Sequence, residues 1–321
     1  MLWTPIVRWN YKKWAPLLGL AILSAVAFVL WDRIRTIEFR DIVLQLRSLP
    51  PRSVLAAIAC SAAAYLLVGL YEGIALERVS GQRRMLYAMR TTVIANPVGR
   101  TLGVALVSGG ALRYRFYAAI GLSARQVAVL IVLMAMPYVL GVGWLIDISL
   151  LLHTEVASRA LQLSTTTVLT IATLGLFKDV GWLVFAHWRT APLEVATLKI
   201  QIPSLRHTLL QIALGIAQIL CNTGIMYLLM PPELGMSWPA FIAIYCIAFV
   251  AGQISNVPAG LGVLEAALLL MLPHVPPGKL LGAVIAYRAI FEVLPLLVGL
   301  GLWLAYEVTH KHGVMRRTVG G

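Results

Sequence analysis

Charge is scarce in this chain. Asp, Glu, Lys and Arg make up 12% of its 321 residues, hydrophobic residues make up 60%, and the mean hydropathy is +0.85. A water-soluble globule of this length has too small an interior to hide so much apolar surface, so that class is excluded. Cysteine is nearly absent: Cys60, Cys221 and Cys246 all fall inside apolar stretches, which leaves packing as their role and implies no disulfide framework. No GxxxxGK[ST] phosphate loop occurs, so transport driven by the chain's own ATPase is not expected. His153, His187, His207, His274, His310 and His312 lie mainly in loops with no metal-type pair, and no Ser or Cys nucleophile has an evident base beside it. No catalytic residue, metal or cofactor is therefore assigned, and the chain is not expected to be an enzyme.

Long apolar runs are what the sequence has instead. About 20 residues of helix cross the hydrocarbon of a bilayer. Seven stretches meet that length: Trp14 to Trp31, Val54 to Leu76, Val127 to Ile146, Leu161 to Phe185, Leu209 to Met230, Trp238 to Val257 and Leu280 to Tyr306. The expected fold is all-α, a polytopic integral membrane helix bundle forming a single transmembrane domain over 1–321. It has about seven full spans plus two re-entrant or broken half-helix elements. Of these, Met85 to Val107 carries Arg90, Asn96-Pro97 and Arg100, while Leu261 to Leu272 is too short to cross alone. The first span lacks a small-residue cleavage site at Trp31-Asp32-Arg33 and reads as a retained anchor. A net charge of +13 is no sign of nucleic acid here, because no soluble segment is long enough to fold into a reader of it. Topology and anionic lipid account for the excess.

Lys and Arg also set an orientation. With a cytoplasmic N-terminus and a re-entrant element over 85–112, sixteen basic residues fall on the cytoplasmic side and seven outside; a full crossing there would reverse the later bias. Both termini are then cytoplasmic, with a short tail at 307–321, in what would be a plasma membrane, the inner membrane of a bacterium. Residues 32–53 have apolar positions at helical spacing, which suits an amphipathic helix on the membrane surface.

The second break, "ISNVPAGLGVLEAALLLML", places Asn256, Pro258, Gly260 and Gly262 ahead of an apolar half-helix, so 238–272 reads as a broken helix or hairpin. The N–H groups at such a helix start favour anions, and Glu265 lies in its first turn. Irregular backbone at membrane depth needs protein or water around it, so both breaks should line an interior. Glu72, Lys178, Asp179, Arg288 and Glu292 fall inside spans and need partners; Glu72 and Lys178 sit near span ends and can snorkel. Arg288 and Glu292, four residues apart, can pair with each other. In "SGGALRYRFY", Gly109-Gly110 is expected to start a helix with Arg113 and Arg115 in its first turns, and Tyr114 and Tyr117 at the interface. Two readings stay open: a phosphate gripped by two guanidinium forks, or an ordinary positive-inside anchor.

At "SGGALRYRFYAAIGLS" (108–123), "VPAGLGVLEAALL" (257–269) and "AYRAIFEVLPLL" (286–297) the chain resembles the transmembrane region of the lysylphosphatidylglycerol synthase family, including its small stand-alone YbhN-like members. The resemblance covers nearly the whole chain. It implies a flippase-like domain that moves or binds a phospholipid or other amphiphile with a phosphate-bearing headgroup. Gly109, Gly110, Arg113, Tyr114 and Arg115, then Pro258, Gly260, Gly262 and Glu265, then Tyr287, Arg288 and Pro295 match the pattern; Glu292 stands where it expects an aromatic residue, and Pro97 and Arg100 are not carried over. No loop could house an acyltransferase, so aminoacyl-lipid synthesis is not expected. Expected partners are anionic or zwitterionic membrane phospholipids and no nucleic acid, with a homo-oligomer or a partner lipid-synthesis enzyme left open. The alternative function is a non-transporting, lipid-binding subunit or regulator.

Overall fold

A computed structural model describes residues 38–101, 105–188, 193–195, 198–200, 204–255, 257 and 260–305. Trp14 to Trp31, the tail at 307–321, Asn256 and Pro258 lie outside the described residues. In chain order the helices are α1 (Phe39–Ser48), α2 (Pro51–Ser80), α3 (Met85–Thr101), α4 (Ala105–Ala118), α5 (Ala124–Leu152), α6 (Thr154–Leu161), α7 (Thr165–Trp188), α8 (Leu205–Leu229), α9 (Trp238–Ile254), α10 (Val263–Met271) and α11 (Pro277–Ala305). Five of them, α2, α5, α7, α8 and α11, are long and apolar enough to cross a membrane. The span expected over Trp238 to Val257 is corrected: α9 stops at Ile254 after 17 residues, because the chain turns back into α10 there. The loop between α7 and α8 carries a departure from pure helix, a small antiparallel ribbon of β1 (Leu193–Val195) and β2 (Leu198–Ile200).

Local chemistry sets several boundaries. Pro51 opens α2, where its missing N–H costs nothing, and Gly81 closes it at φ 70°. Ser123 and Gln126 cap the start of α5 reciprocally. Helices α5 and α8 cross at backbone contact: a Cβ on Gly215 would fall 1.7 Å from the Pro137 carbonyl oxygen. Small residues permit such approaches where apolar burial alone gives helices no reason to associate in lipid.

Two helical hairpins complete the bundle from opposite ends. At one end, Gln126 Nε2 donates to Val79 O, and Tyr87 Oη donates to Phe116 O at 2.6 Å, so the open ends of α3 and α4 lie beside the close of α2 and the start of α5. At the other end, Gln45 of α1 donates to Leu229 O, and His274 bonds the carbonyl of Leu234. The open ends of α9 and α10 therefore sit where α2 begins and α8 finishes. One apolar core surrounds Phe241, Tyr245 and Leu268, and another surrounds Tyr71, Tyr117 and Leu130.

Candidate functional site: a charged centre beside two helical hairpins

Glu72 of α2 is completely buried and accepts four hydrogen bonds. Arg113 grips it with both prongs, Nε to Oε1 at 2.9 Å and Nη2 to Oε2 at 3.0 Å. Tyr117 Oη donates to Oε1 at 2.8 Å, and Thr92 donates to Oε2. This pairing ties α2 to both limbs of the first hairpin. A buried pair of this kind persists only when further hydrogen bonds satisfy the remaining lone pairs, as the two hydroxyls do here.

That geometry corrects the expectation for "SGGALRYR". Gly109 and Gly110 lie inside α4 rather than starting it, and Arg113 and Arg115 fall towards its end. Gly109 faces Ala95 and Gly99 of α3, letting the limbs of the hairpin approach, while Gly110 borders a cavity. Two residues apart on a helix, the arginines point to different sides. Arg113 is buried on Glu72, whereas Arg115 is exposed with its guanidinium 5.9 Å from the Trp303 ring, and Tyr114 is exposed too. No single phosphate can take both forks. Glu72, expected to snorkel, is the anchor of the cluster.

The second hairpin is held by the inverse arrangement. Arg288 donates Nε to Glu265 Oε1 at 2.7 Å and Nη1 to both carboxylate oxygens of Glu292 at 3.1 and 3.0 Å, with Nη2 3.5 Å from Gly260 O. The other oxygen of Glu265 accepts the Gly262 N–H at 2.9 Å, so this carboxylate caps α10 and engages α11 at once. Gly260 and Gly262 have φ of 60° and 82°, and a Cβ on Gly260 would lie 3.0 Å from Gly252 Cα, so the turn needs glycine for conformation and for closeness. Residues Ala289–Val293 form a π-helical turn in α11 at this point. Tyr287 is buried with its hydroxyl 2.7 Å from that of Tyr245.

A cavity of about 280 Å³ is bordered among others by Tyr71, Asn96, Arg100, Arg113, Tyr138, Gln218 and Phe249. Arg100, at the tip of α3, stacks on rings: its guanidinium carbon is 4.4 Å from the Phe291 centroid and 5.4 Å from that of Phe249. No carboxylate of the described residues comes within salt-bridge distance of it; Glu292, committed to Arg288, acts on it only through space. The buried hydroxyls of Tyr65 and Tyr138 bond no described group. A second, apolar cavity of about 330 Å³ runs past Ile58, Leu66, Met89, Val93 and Val298, with Tyr65 in its wall. Tyr65 packs edge-on against Phe291, the ring that Arg100 covers.

Sequence reasoning passed over Arg100. The available signal was an arginine three residues after Pro97 in an otherwise apolar segment. Arg288, Glu265, Gly260 and Gly262 are brought together as a group, but away from Arg115 and Tyr114.

Fold and site together define an all-α integral membrane protein with a charged centre. No family profile matches the chain. Over 316 residues, 95% of both chains, it is 25% identical to "Inner membrane protein YbhN" of Escherichia coli, and over 214 residues it is 31% identical to "Uncharacterized protein slr0712" of Synechocystis. The latter match covers 63% of each protein, less than two thirds of that relative's length. Likeness along nearly the whole of YbhN supports kinship with YbhN-like membrane proteins, whereas the link to lysylphosphatidylglycerol synthases has no such match behind it.

Proposed function

We propose that this protein is a lipid transporter of a bacterial inner membrane, carrying an amphiphile with a phosphate-bearing headgroup between leaflets. The inner-membrane location follows that of its relative, the inner membrane protein YbhN. The observation that carries the reading is Arg100: a guanidinium set on aromatic faces, bordering a cavity, with all its hydrogen-bond donors uncommitted to any described carboxylate. Holding a part-buried cation against apolar rings without a contact anion is costly, and two oxygens of a phosphate match its fork. The unengaged hydroxyl of Tyr138, in the lining of the same cavity, supplies a further donor, and the neighbouring apolar cavity suits an acyl chain. Arg113, whose Nε and Nη2 hold Glu72, borders the same cavity, whereas Arg115 does not line it.

A second reading is a non-transporting lipid-binding subunit, or a regulator of a lipid-synthesis enzyme. The observation in its favour is that ion pairs pin both hairpins to the bundle. Reconstitution into vesicles with a panel of headgroup-labelled lipids separates the two. Transport predicts leaflet exchange above empty vesicles, reduced at least tenfold by Arg100→Gln, since a lost charge-assisted hydrogen bond is worth about 1.5–3 kcal/mol. Binding without exchange supports the second reading. Wild-type binding and exchange in a correctly inserted Arg100→Gln protein would remove Arg100 as the headgroup site.

A further inference from the structure

A third charged group lies away from the cavity, where α5 meets α7. Asp147 of α5 and Asp179 of α7 have side chains only 8% and 4% exposed, and one ammonium serves both. Lys178 Nζ is 2.9 Å from Asp179 Oδ1 and 3.6 Å from Asp147 Oδ2. Each carboxyl lies against a glycine of the facing helix: a Cβ on Gly175 would fall 2.1 Å from Asp147 Oδ1, and one on Gly143 would fall 3.3 Å from Asp179 Oδ1. Sequence reading ended the span at Ile146 and so left Asp147 out of the intramembrane set; α5 continues to Leu152.

The group is short of donors. Asp147 Oδ2 and Asp179 Oδ2 are buried without a hydrogen bond, and two carboxylates with one ammonium leave a net negative charge between apolar helices. Among the described residues, none nearby cancels it. Lys178 and Asp179 are the charged groups that act on Asp147. Helix α9 has no Asp, Glu, Lys, Arg or His. Glu155 and Arg159 of α6 pair with each other in solvent. On α2, Glu72 is held by Arg113, Glu77 by Arg83, Arg52 is exposed, and Arg78 borders Leu133 near the opposite end of α5 together with His207 of α8. The missing element is a donor that also carries one positive charge. A metal ion fits poorly, because the ammonium already occupies the place between the carboxylates, and the described residues contain no group of three or more His, Cys, Asp or Glu side chains able to hold one.

We propose that Asp147 and Asp179 form a proton-binding site that couples this membrane protein to pH. A proton from water converts one carboxylate to the acid, and its new O–H donates to the unpaired oxygen of the other, which neutralises the cluster without displacing Lys178. Two carboxyls in one site do not both ionise readily, as in shared-proton carboxyl dyads elsewhere. Separation of α5 from α7 would break that shared bond and return the proton to water. Proton binding would thereby bias the relative position of two spans, one of which also borders the charged cavity.

The test is infrared difference spectroscopy of the purified full-length protein in D2O, following the carbonyl stretch of protonated carboxyls as pH changes. It requires no transported lipid, so its failure is distinct from failure of the transport reading. Wild type should show a titrating carboxyl band that is absent from both Asp147→Asn and Asp179→Asn and retained in the exposed control Glu155→Gln. Lys178→Met should carry the band to higher pH by at least one unit, a tenfold gain in proton affinity, because the competing positive charge is gone. That variant keeps both carboxyls and so covers the case in which the Asn variants do not fold. A wild-type spectrum with no such band, a band unchanged in Lys178→Met, or a midpoint displaced competitively by sodium would each overturn the proposal.

Discussion

The two hairpins are pinned by ion clusters of opposite stoichiometry. In the first, a single carboxylate sits at the centre of one guanidinium and two hydroxyls, wholly buried and electrically balanced. In the second, a single guanidinium sits between two carboxylates, partly accessible and with one negative charge left over. Arg100 lies between them without a contact carboxylate, so the centre as a whole balances three arginines against three glutamates while distributing them unevenly. The difference separates a clamp from a receptive site. The Glu72 carboxylate has its oxygens taken; Arg100, which borders the same cavity as Arg113, has no contact carboxylate.

The largest expected effect tests the clamp. Glu72→Ala strands a buried Arg113, and removing one partner of such a pair costs about 3–5 kcal/mol. The expected result is loss of most folded, monodisperse protein in detergent, or a large drop in melting temperature. Replacing both residues by apolar ones, Glu72→Met with Arg113→Leu, should recover much of that loss, because well-packed apolar residues can replace a buried pair at little net cost. A mild Glu72→Ala phenotype would mean that this cluster is not sealed.

Glu265→Gln comes next. The amide can accept from Arg288 or from Gly262 but presents an N–H₂ to the other, while Glu292 still holds Arg288. A destabilisation of about 1–2 kcal/mol is expected, with the protein inserted and folded. A loss as great as that of Glu72→Ala would erase the contrast between the two hairpins.

Five spans and both breaks were legible from hydropathy, glycine and proline, because the length of an apolar run and the interruption of a helix are local properties. Partners were not. Helices such as α5 and α8 are apolar on the lipid side and on the core side, so periodicity does not say which face is inside. Arg113 finds Glu72 across 41 residues of sequence, and that pairing depends on how α4 is rotated against α2. The i,i+4 pair Arg288–Glu292 was readable, being local; the contact of Arg288 with Glu265, on another helix, was not. Arg100 was missed for a related reason: an arginine near a proline resembles a helix end until the rings of α9 and α11 are folded beneath it.

The smallest effect lies outside the interior altogether and marks where the comparison ends. Glu233, in the short turn between α8 and α9, pairs with Lys279 at the start of α11, both side chains being more than a third exposed. The hydrogen bond from Lys279, ahead of a backbone hydrogen bond, holds the Glu233 carboxyl below its ordinary value. A carboxyl depressed in the folded state contributes stability at neutral pH, and that contribution declines as pH falls below about 4 and through the folded value. Exposure and salt limit it to about 0.2–1 kcal/mol. Glu233→Gln should therefore lower the melting temperature slightly at neutral pH and low salt. The gap to wild type should close in acid and also in high salt. The losses caused by Glu72→Ala and Glu265→Gln should survive the same salt, since ions screen buried pairs much less than exposed ones. A Glu233→Gln effect that ignored both pH and salt would assign this turn a packing role instead of an electrostatic one.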